Sequence, residues 1–232
     1  MQRRGGLLNM ELEPPAWLYN FLARGSIFRR IYRRFARDLE SGVPRGARLL
    51  DVGTGPGYLL KHLAGLRPDL CLSGLDLDWQ MVRRGKRNLG SSSPCLHLLV
   101  GDAQTLPVAS GVFDFVTAYF SFHIWPQPSL GLAEILRVLK PGGRAWIYEM
   151  NRETSRKSVR GFAADERLPF FLIGPGYRLL AWHHSLSAGD FPPFFQAAGV
   201  KSWEIRSVHH LFWRAEIRKT GYDSAGKNCQ GG

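Results

Sequence analysis

Asp51-Val52-Gly53-Thr54-Gly55-Pro56-Gly57 follows the apolar pair Leu49-Leu50 and runs into Tyr58-Leu59-Leu60. An apolar run, an acid, three alternate glycines and a second apolar run read as strand, tight turn and helix. Glycines at this spacing remove side chains where the chain must reverse and lie against a ligand. The helix that follows offers free N–H groups and the positive end of its dipole. The stretch therefore predicts a nucleotide-type cofactor site, the alternative being a plain Gly/Pro turn. A second apolar stretch, Leu70-Cys71-Leu72-Ser73-Gly74-Leu75, ends at Asp76. That is roughly 20 residues past the glycines, where an acid can accept from both hydroxyls of a ribose.

Outward from this point strand and helix patterns alternate. Strands are predicted over 48–52, 70–76, 96–101, 113–119 and 144–150, with helices over 57–66, 79–89 and 129–139 between them. Such alternation implies parallel strands joined by crossover helices, and the unbroken apolar character of 113–119 suits a strand buried on both faces. Ligands in such sheets sit beyond the carboxyl ends of the strands, where Asp51, Asp76 and Asp102 all fall. A further helix over 188–198 and strands over 200–205 and 212–218 would close the sheet. Residues 1–46 read as an N-terminal helical cap, 47–220 as the main domain with a lid segment at about 151–187, and 221–232 as a loose tail.

A nicotinamide dinucleotide fingerprint wants a third glycine three residues after the second, and that position holds Tyr58; Gly57 comes one residue early. Farther on come Gly101-Asp102-Ala103, Phe113-Asp114-Phe115-Val116-Thr117-Ala118 and Leu139-Lys140-Pro141-Gly142-Gly143-Arg144-Ala145-Trp146-Ile147. With the glycine loop and Gly74-Leu75-Asp76, this series resembles the class I S-adenosylmethionine-dependent methyltransferases, especially the branch of ubiquinone/menaquinone C-methyltransferases, over about residues 45–150.

The resemblance implies an α/β fold: a doubly wound, seven-stranded, mostly parallel Rossmann-like sheet whose last strand pair runs antiparallel to the rest. It implies S-adenosyl-L-methionine as cofactor. Asp51, Gly53, Thr54, Gly55 and Gly57 would sit beside its methionine part, Asp76 with Leu77 at the ribose, and Asp102 with Ala103 at the adenine. Tyr119 would line the sulfonium region, where an aromatic face favours positive charge. Each has a plainer alternative: Asp51 as a turn cap, Asp76 as the cap of the helix near Trp79, Asp102 as a solvated loop acid, Tyr119 as core.

Methyl transfer from a sulfonium carries its own leaving group, so no metal is required and positioning dominates; holding two reactants in line can contribute about 7–11 kcal/mol. A base matters if the acceptor is a phenol or an activated carbon. His123, in Tyr119-Phe120-Ser121-Phe122-His123-Ile124-Trp125-Pro126, is the candidate, the alternative being a histidine that only packs the loop. Trp125 would shape the pocket or cover the cofactor. His183-His184 lack a third ligand, so a metal site is not expected there.

No Asn-Pro-Pro-Tyr-type tetrad follows the 113–119 strand, which disfavours the amino-methylating enzymes that use it. No cysteine lies near the cofactor loop or that strand, which argues against a thiolate-dependent RNA cytosine mechanism. The expected activity is O- or C-methylation of a small, lipophilic, quinone-like acceptor, with N-methylation by a route without that tetrad left open. The alternatives are an RNA methyltransferase and a non-catalytic cofactor-binding or scaffolding protein.

The 232 residues are 44% hydrophobic, enough for one substantial core. Cys71, Cys95 and Cys229 are odd in number and scattered, with neither a disulfide framework nor zinc-site spacing, which suits a reducing interior. Met1 to Leu8 carry no apolar core of signal length, so a cytoplasmic protein is expected. The formal net charge of +12 favours anionic partners. Arg29, Arg30, Arg33, Arg34 and Arg37 interleave with Ile31, Tyr32, Phe35 and Leu39, making residues 26–40 an amphipathic basic helix. That helix either packs with a solvated arginine face or touches an anionic membrane or RNA.

Overall fold

The structure, a computed structural model, describes residues 26–90, 95–170 and 185–220, with side chains from residue 29 onward. In chain order the elements are α1 (Ser26–Gly42), β1 (Arg48–Val52), α2 (Tyr58–Leu66), β2 (Cys71–Asp76), α3 (Trp79–Leu89) and β3 (Leu96–Val100). Then follow β4 (Phe113–Tyr119), α4 (Pro128–Val138), β5 (Leu139–Asn151), α5 (Arg156–Asp165), β6 (Ser185–Leu186), α6 (Phe191–Ala197), β7 (Trp203–Val208) and β8 (Phe212–Arg218). The strands form one sheet in the order β3-β2-β1-β4-β5-β8-β7, with β6 pairing β5 off that path. The order reverses between β1 and β4, which is where doubly wound sheets open a ligand crevice.

β1 is central, and Leu49, Leu50 and Val52 are fully buried, as a strand covered on both faces requires. One core cluster packs α1 and α2 on one side of the sheet, and a second, built around Phe122, Leu132, Ile135, Phe191 and Phe195, covers the other. β5 starts at Leu139, before the predicted 144, because the Pro141-Gly142-Gly143 segment is absorbed as a register shift against β4 instead of ending the strand. Gly142, at φ 77°, supplies the left-handed backbone that the irregularity needs. The expected antiparallel pair is a single antiparallel strand. β8 runs against both β5 and β7, so β7 points the same way as the parallel strands.

Helix α1 is held by its apolar stripe and by one polar anchor. Ile31, Tyr32, Phe35, Ala36 and Leu39 are buried at helical spacing. Phe35 makes edge-on contacts with Tyr119, Tyr148 and Phe212 at centroid distances of 4.7, 4.8 and 5.1 Å. One turn on, Asp38 accepts from the Tyr148 hydroxyl and from Arg214 Nη1, both at 2.8 Å. Burial alone would raise the Asp38 pKa; His209, the Tyr148 hydroxyl and Arg214 outweigh it and hold the carboxyl below its ordinary value. Gly42, at the end of α1, lies against the Trp146 ring, where a Cβ would come within 1.9 Å.

The cysteines depart from their expected isolation. β2 and β3 are parallel neighbours, which puts Cys71 opposite Cys95 and joins them as a disulfide. Cys229, His183 and His184, with residues 171–184 of the lid and the tail 221–232, lie outside the described residues.

Replacing Phe35 with Ala should destabilise the protein by about 3–5 kcal/mol, since a large ring is removed from a fully enclosed site. Urea unfolding followed by circular dichroism measures this. A loss below about 1 kcal/mol would show that α1 is peripheral to the core.

Candidate active site

The parallel ladder fixes the positions of the acids. Asp51 pairs with Gly74 on β2 and Thr117 on β4, and Asp76 pairs with Val100 on β3, two residues before Asp102. Past β1 the N–H groups of Gly53 and Thr54 donate to Leu75 O at 2.8 and 2.9 Å. The glycine loop is thereby pinned to the end of β2. Gly53, Gly55 and Gly57 all have positive φ, at 75°, 54° and 75°, which explains why glycine recurs at alternate positions. A Cβ at Gly53 would come within 2.3 Å of Ser121 Cβ, and Ser121 Oγ donates to Val52 O at 2.7 Å. The turns after β1 and β4 are therefore in contact.

Asp76 gathers this corner. Its Oδ2 accepts from Gly55 N–H at 2.7 Å and its Oδ1 from Asp78 N–H at 3.0 Å. Burial raises its pKa, against the pull of those two backbone donors. The cap of α3 is Asp78, whose carboxylate accepts from Gln80 N–H at 2.7 Å, so Asp76 does not cap that helix. Leu77, beside Asp76, is 72% exposed, an uncommon exposure for leucine. Asp102 accepts at Oδ1 from Gln104 N–H at 2.8 Å, and its neighbour Ala103 packs on the second core cluster.

Asp51 is the unusual acid. It is 1% exposed, and its Oδ1 and the Thr54 hydroxyl are buried polar atoms without a hydrogen-bond partner among the described residues. Burial pushes its pKa to about 7, opposed by the nearby Thr54 hydroxyl and reinforced by the Asp76 charge. A carboxyl in this state is mostly protonated below about pH 7, and a nearby cation or hydrogen-bond donor would favour its ionised form.

At the ends of β4 and β5 lies a second polar pair. Phe120 takes φ 52° just after β4, and the chain then enters a short 3₁₀ turn, Phe122–Ile124. A phenylalanine held there is backbone strain beside the site. His123 Nδ1 lies 2.8 Å from Glu149 Oε2, and the His123 N–H donates to Glu149 Oε1 at 3.1 Å. Glu149 is fully buried, while the His123 side chain remains 14% exposed. Glu149 escaped the sequence reading because an acid at a strand end says nothing about a partner 26 residues away. Tyr119 is buried, stacked on Phe120 at 4.2 Å and tilted against Tyr32 at 5.3 Å. Trp125 is buried against Phe122 and fits over Gly131, where a Cβ would meet its ring at 2.4 Å.

Comparison with known proteins agrees with this architecture. Residues 50–147 match the family model described as a methyltransferase domain. The chain is 36% identical over 138 residues to the ubiquinone/menaquinone biosynthesis C-methyltransferase of Geotalea daltonii, covering 57% of this chain and 58% of that protein. It is 37% identical over 125 residues to the demethylmenaquinone methyltransferase of Renibacterium salmoninarum, covering 54% and 50%. The chain thus spans between half and two thirds of the length of these relatives. A crystal structure from Methanococcus maripaludis, assigned as an S-adenosyl-L-methionine-dependent methyltransferase, superposes with a TM-score of 0.72 at 21% identity over 97% of this chain and 99% of that one. The family match thus makes residues 50–147 similar to methyltransferase domains, and the structural likeness shows the fold.

A cationic ligand on Asp51 has to displace its proton. Because the folded pKa is raised, this group favours folding of the free protein at low pH, and that contribution is lost as pH rises towards about 7. Ligand affinity should do the opposite, climbing up to about tenfold per pH unit below 7 and levelling above it. Calorimetric titration with S-adenosylmethionine in two buffers of different protonation enthalpy should show proton release at pH 6 and little at pH 8. Asp51→Asn should abolish the release. An unchanged proton count in that variant would remove Asp51 from the site.

Proposed function

We propose that the protein is an S-adenosylmethionine-dependent methyltransferase that methylates a small, lipophilic, quinone-like acceptor at carbon or oxygen, with His123 as general base; the match of residues 50–147 to a methyltransferase domain supports this reading. The observation that carries this reading is the buried Glu149 carboxylate engaging both the ring and the backbone of His123. A carboxylate on Nδ1 fixes the tautomer and ring orientation and stabilises the imidazolium, which prepares Nε2 to take a proton from a phenol or an acidic carbon. The names of the two quinone-pathway relatives support the same acceptor class.

In this reading the unpartnered Asp51 Oδ1 and Thr54 hydroxyl face the cofactor's amine, and the first turn of α2, which the glycine loop leads into, faces the carboxylate. Asp76 takes the ribose hydroxyls, Leu77 covers apolar cofactor surface, and Asp102 with Ala103 takes the adenine. The cofactor supplies an electrophilic methyl group on a sulfonium. Tyr119 and Phe120, stacked at the end of β4, would line the sulfonium region, where aromatic faces favour positive charge.

The basic face of α1 fits an acceptor that resides in membranes. Arg30 and Arg34 are tied to Glu166, whereas no partner is recorded for Arg33 or Arg37 among the described residues. They border a groove of about 420 Å³ with Lys61 and His62. Burial first, then the charges of Arg33, Lys61 and Arg29, depresses the His62 pKa. No helix among the described residues is long and apolar enough to cross a membrane, so the contact proposed is peripheral, with anionic lipid.

Incubating the protein with labelled methyl donor and a fractionated cell extract tests the reading. Label is expected in the lipid-soluble fraction; label mainly in RNA would overturn it, and bound cofactor with no label anywhere would favour a non-catalytic role. On the acceptor found, His123→Ala should lower kcat by about 10²- to 10⁴-fold while cofactor affinity holds. A fully active variant would refute the base.

A further inference from the structure

At the amino ends of the strands, opposite the edge that gathers Asp51, Asp76 and Asp102, a third cluster converges. Cys71 opens β2 and Cys95 precedes β3, with Leu72 paired to Leu96 and Ser73 to His97. Cys95, in the turn before β3, and His97, on β3, both bring their side chains to Cys71. The sulfurs are bonded, with Cα atoms 4.9 Å apart. One His97 ring nitrogen and the two Sγ atoms all lie within 4.8 Å of one another. The cysteines are half-buried and the histidine is exposed, so solvent reaches the group. Nothing in the methyl-transfer chemistry uses it.

A cross-strand cysteine pair alone would indicate only a disulfide. The imidazole is the additional observation, because two thiolates and one imidazole at this separation form the donor set of a soft cation. We propose that, when the Cys71–Cys95 bond is reduced, Cys71, Cys95 and His97 bind a zinc(II) ion, with water at the fourth position. A thiol reductant delivers two electrons and two protons to the disulfide and departs as its own disulfide. Each thiol then loses its proton to solvent as the metal binds, and His97 binds neutral. Zn–S distances of about 2.3 Å place tetrahedral sulfurs about 3.8 Å apart, a separation reached by rotating the two cysteine side chains without moving the strands. Metal and disulfide are then alternative clasps between edge strand β3 and its neighbour β2, chosen by redox conditions.

The test uses the full chain carrying Cys229→Ser, so that the third cysteine cannot bind. After reduction by a phosphine and its removal, about one equivalent of cobalt(II) should give a thiolate-to-cobalt charge-transfer band that zinc(II) bleaches. Cys71→Ser and Cys95→Ser should each abolish the band, and His97→Ala should weaken zinc binding, read by competition with a chromogenic chelator, by about tenfold or more. Circular dichroism checks that each variant is folded. The disulfide form should bind no zinc. No band in the reduced protein, unchanged zinc affinity in His97→Ala or either serine variant, or equal binding by the oxidised protein would each overturn the proposal.

Discussion

The register of the parallel ladder around β1 is the constraint on which the site depends. Asp51 sits between Gly74 and Thr117, and the two residues after the strand are bonded back to Leu75, so β1 and β2 must end together. A slip of one residue would turn Asp51 to the other face and separate Gly55 from Asp76. The fully buried Leu49, Leu50 and Val52 resist that slip, since apolar packing on both faces fixes which residue points where. Packing energy, which carries no chemistry itself, thereby sets the spacing of charged groups.

The same constraint accounts for the poor local satisfaction of Asp51. A buried carboxyl with one unpartnered oxygen is unfavourable for folding, and its pKa near 7 records how far the fold resists the charge. Elsewhere the protein compensates its buried charge. Asp38 receives Tyr148 and Arg214, and Arg214 also lies over the Trp146 ring at 4.1 Å. The two acids differ in their donors: both Asp38 oxygens accept from protein groups, whereas Asp51 Oδ1 has no hydrogen-bond partner among the described residues.

Much of this was legible in the sequence because its signals are local. Alternate glycines, apolar runs and an acid at each strand end are read within a few residues, and they place Asp51, Asp76 and Asp102 at one edge of the sheet. What stayed hidden depends on distant partners. Arg214 finds Asp38 across 176 positions and Glu149 finds His123 across 26, and neither pairing leaves a trace in spacing. Cys71 and Cys95, scattered along the chain, meet because parallel neighbours bring residues 24 apart into register. The cap of α3 shows the limit of local reading, since the alternative of Asp76 as the cap gives way to Asp78, whose side chain accepts from Gln80 N–H. The direction of β7 and the short β6 likewise follow from pairing geometry.

The central claim is that the corner held by Asp76 and the glycine loop binds an adenosyl cofactor. Calorimetric titration of S-adenosylmethionine into the protein and into Asp76→Ala measures it most directly. The account predicts that the variant, shown folded by circular dichroism, binds about 10- to 100-fold more weakly, the weight of lost hydrogen bonds to a charged group. Equal affinity in the two proteins would contradict it.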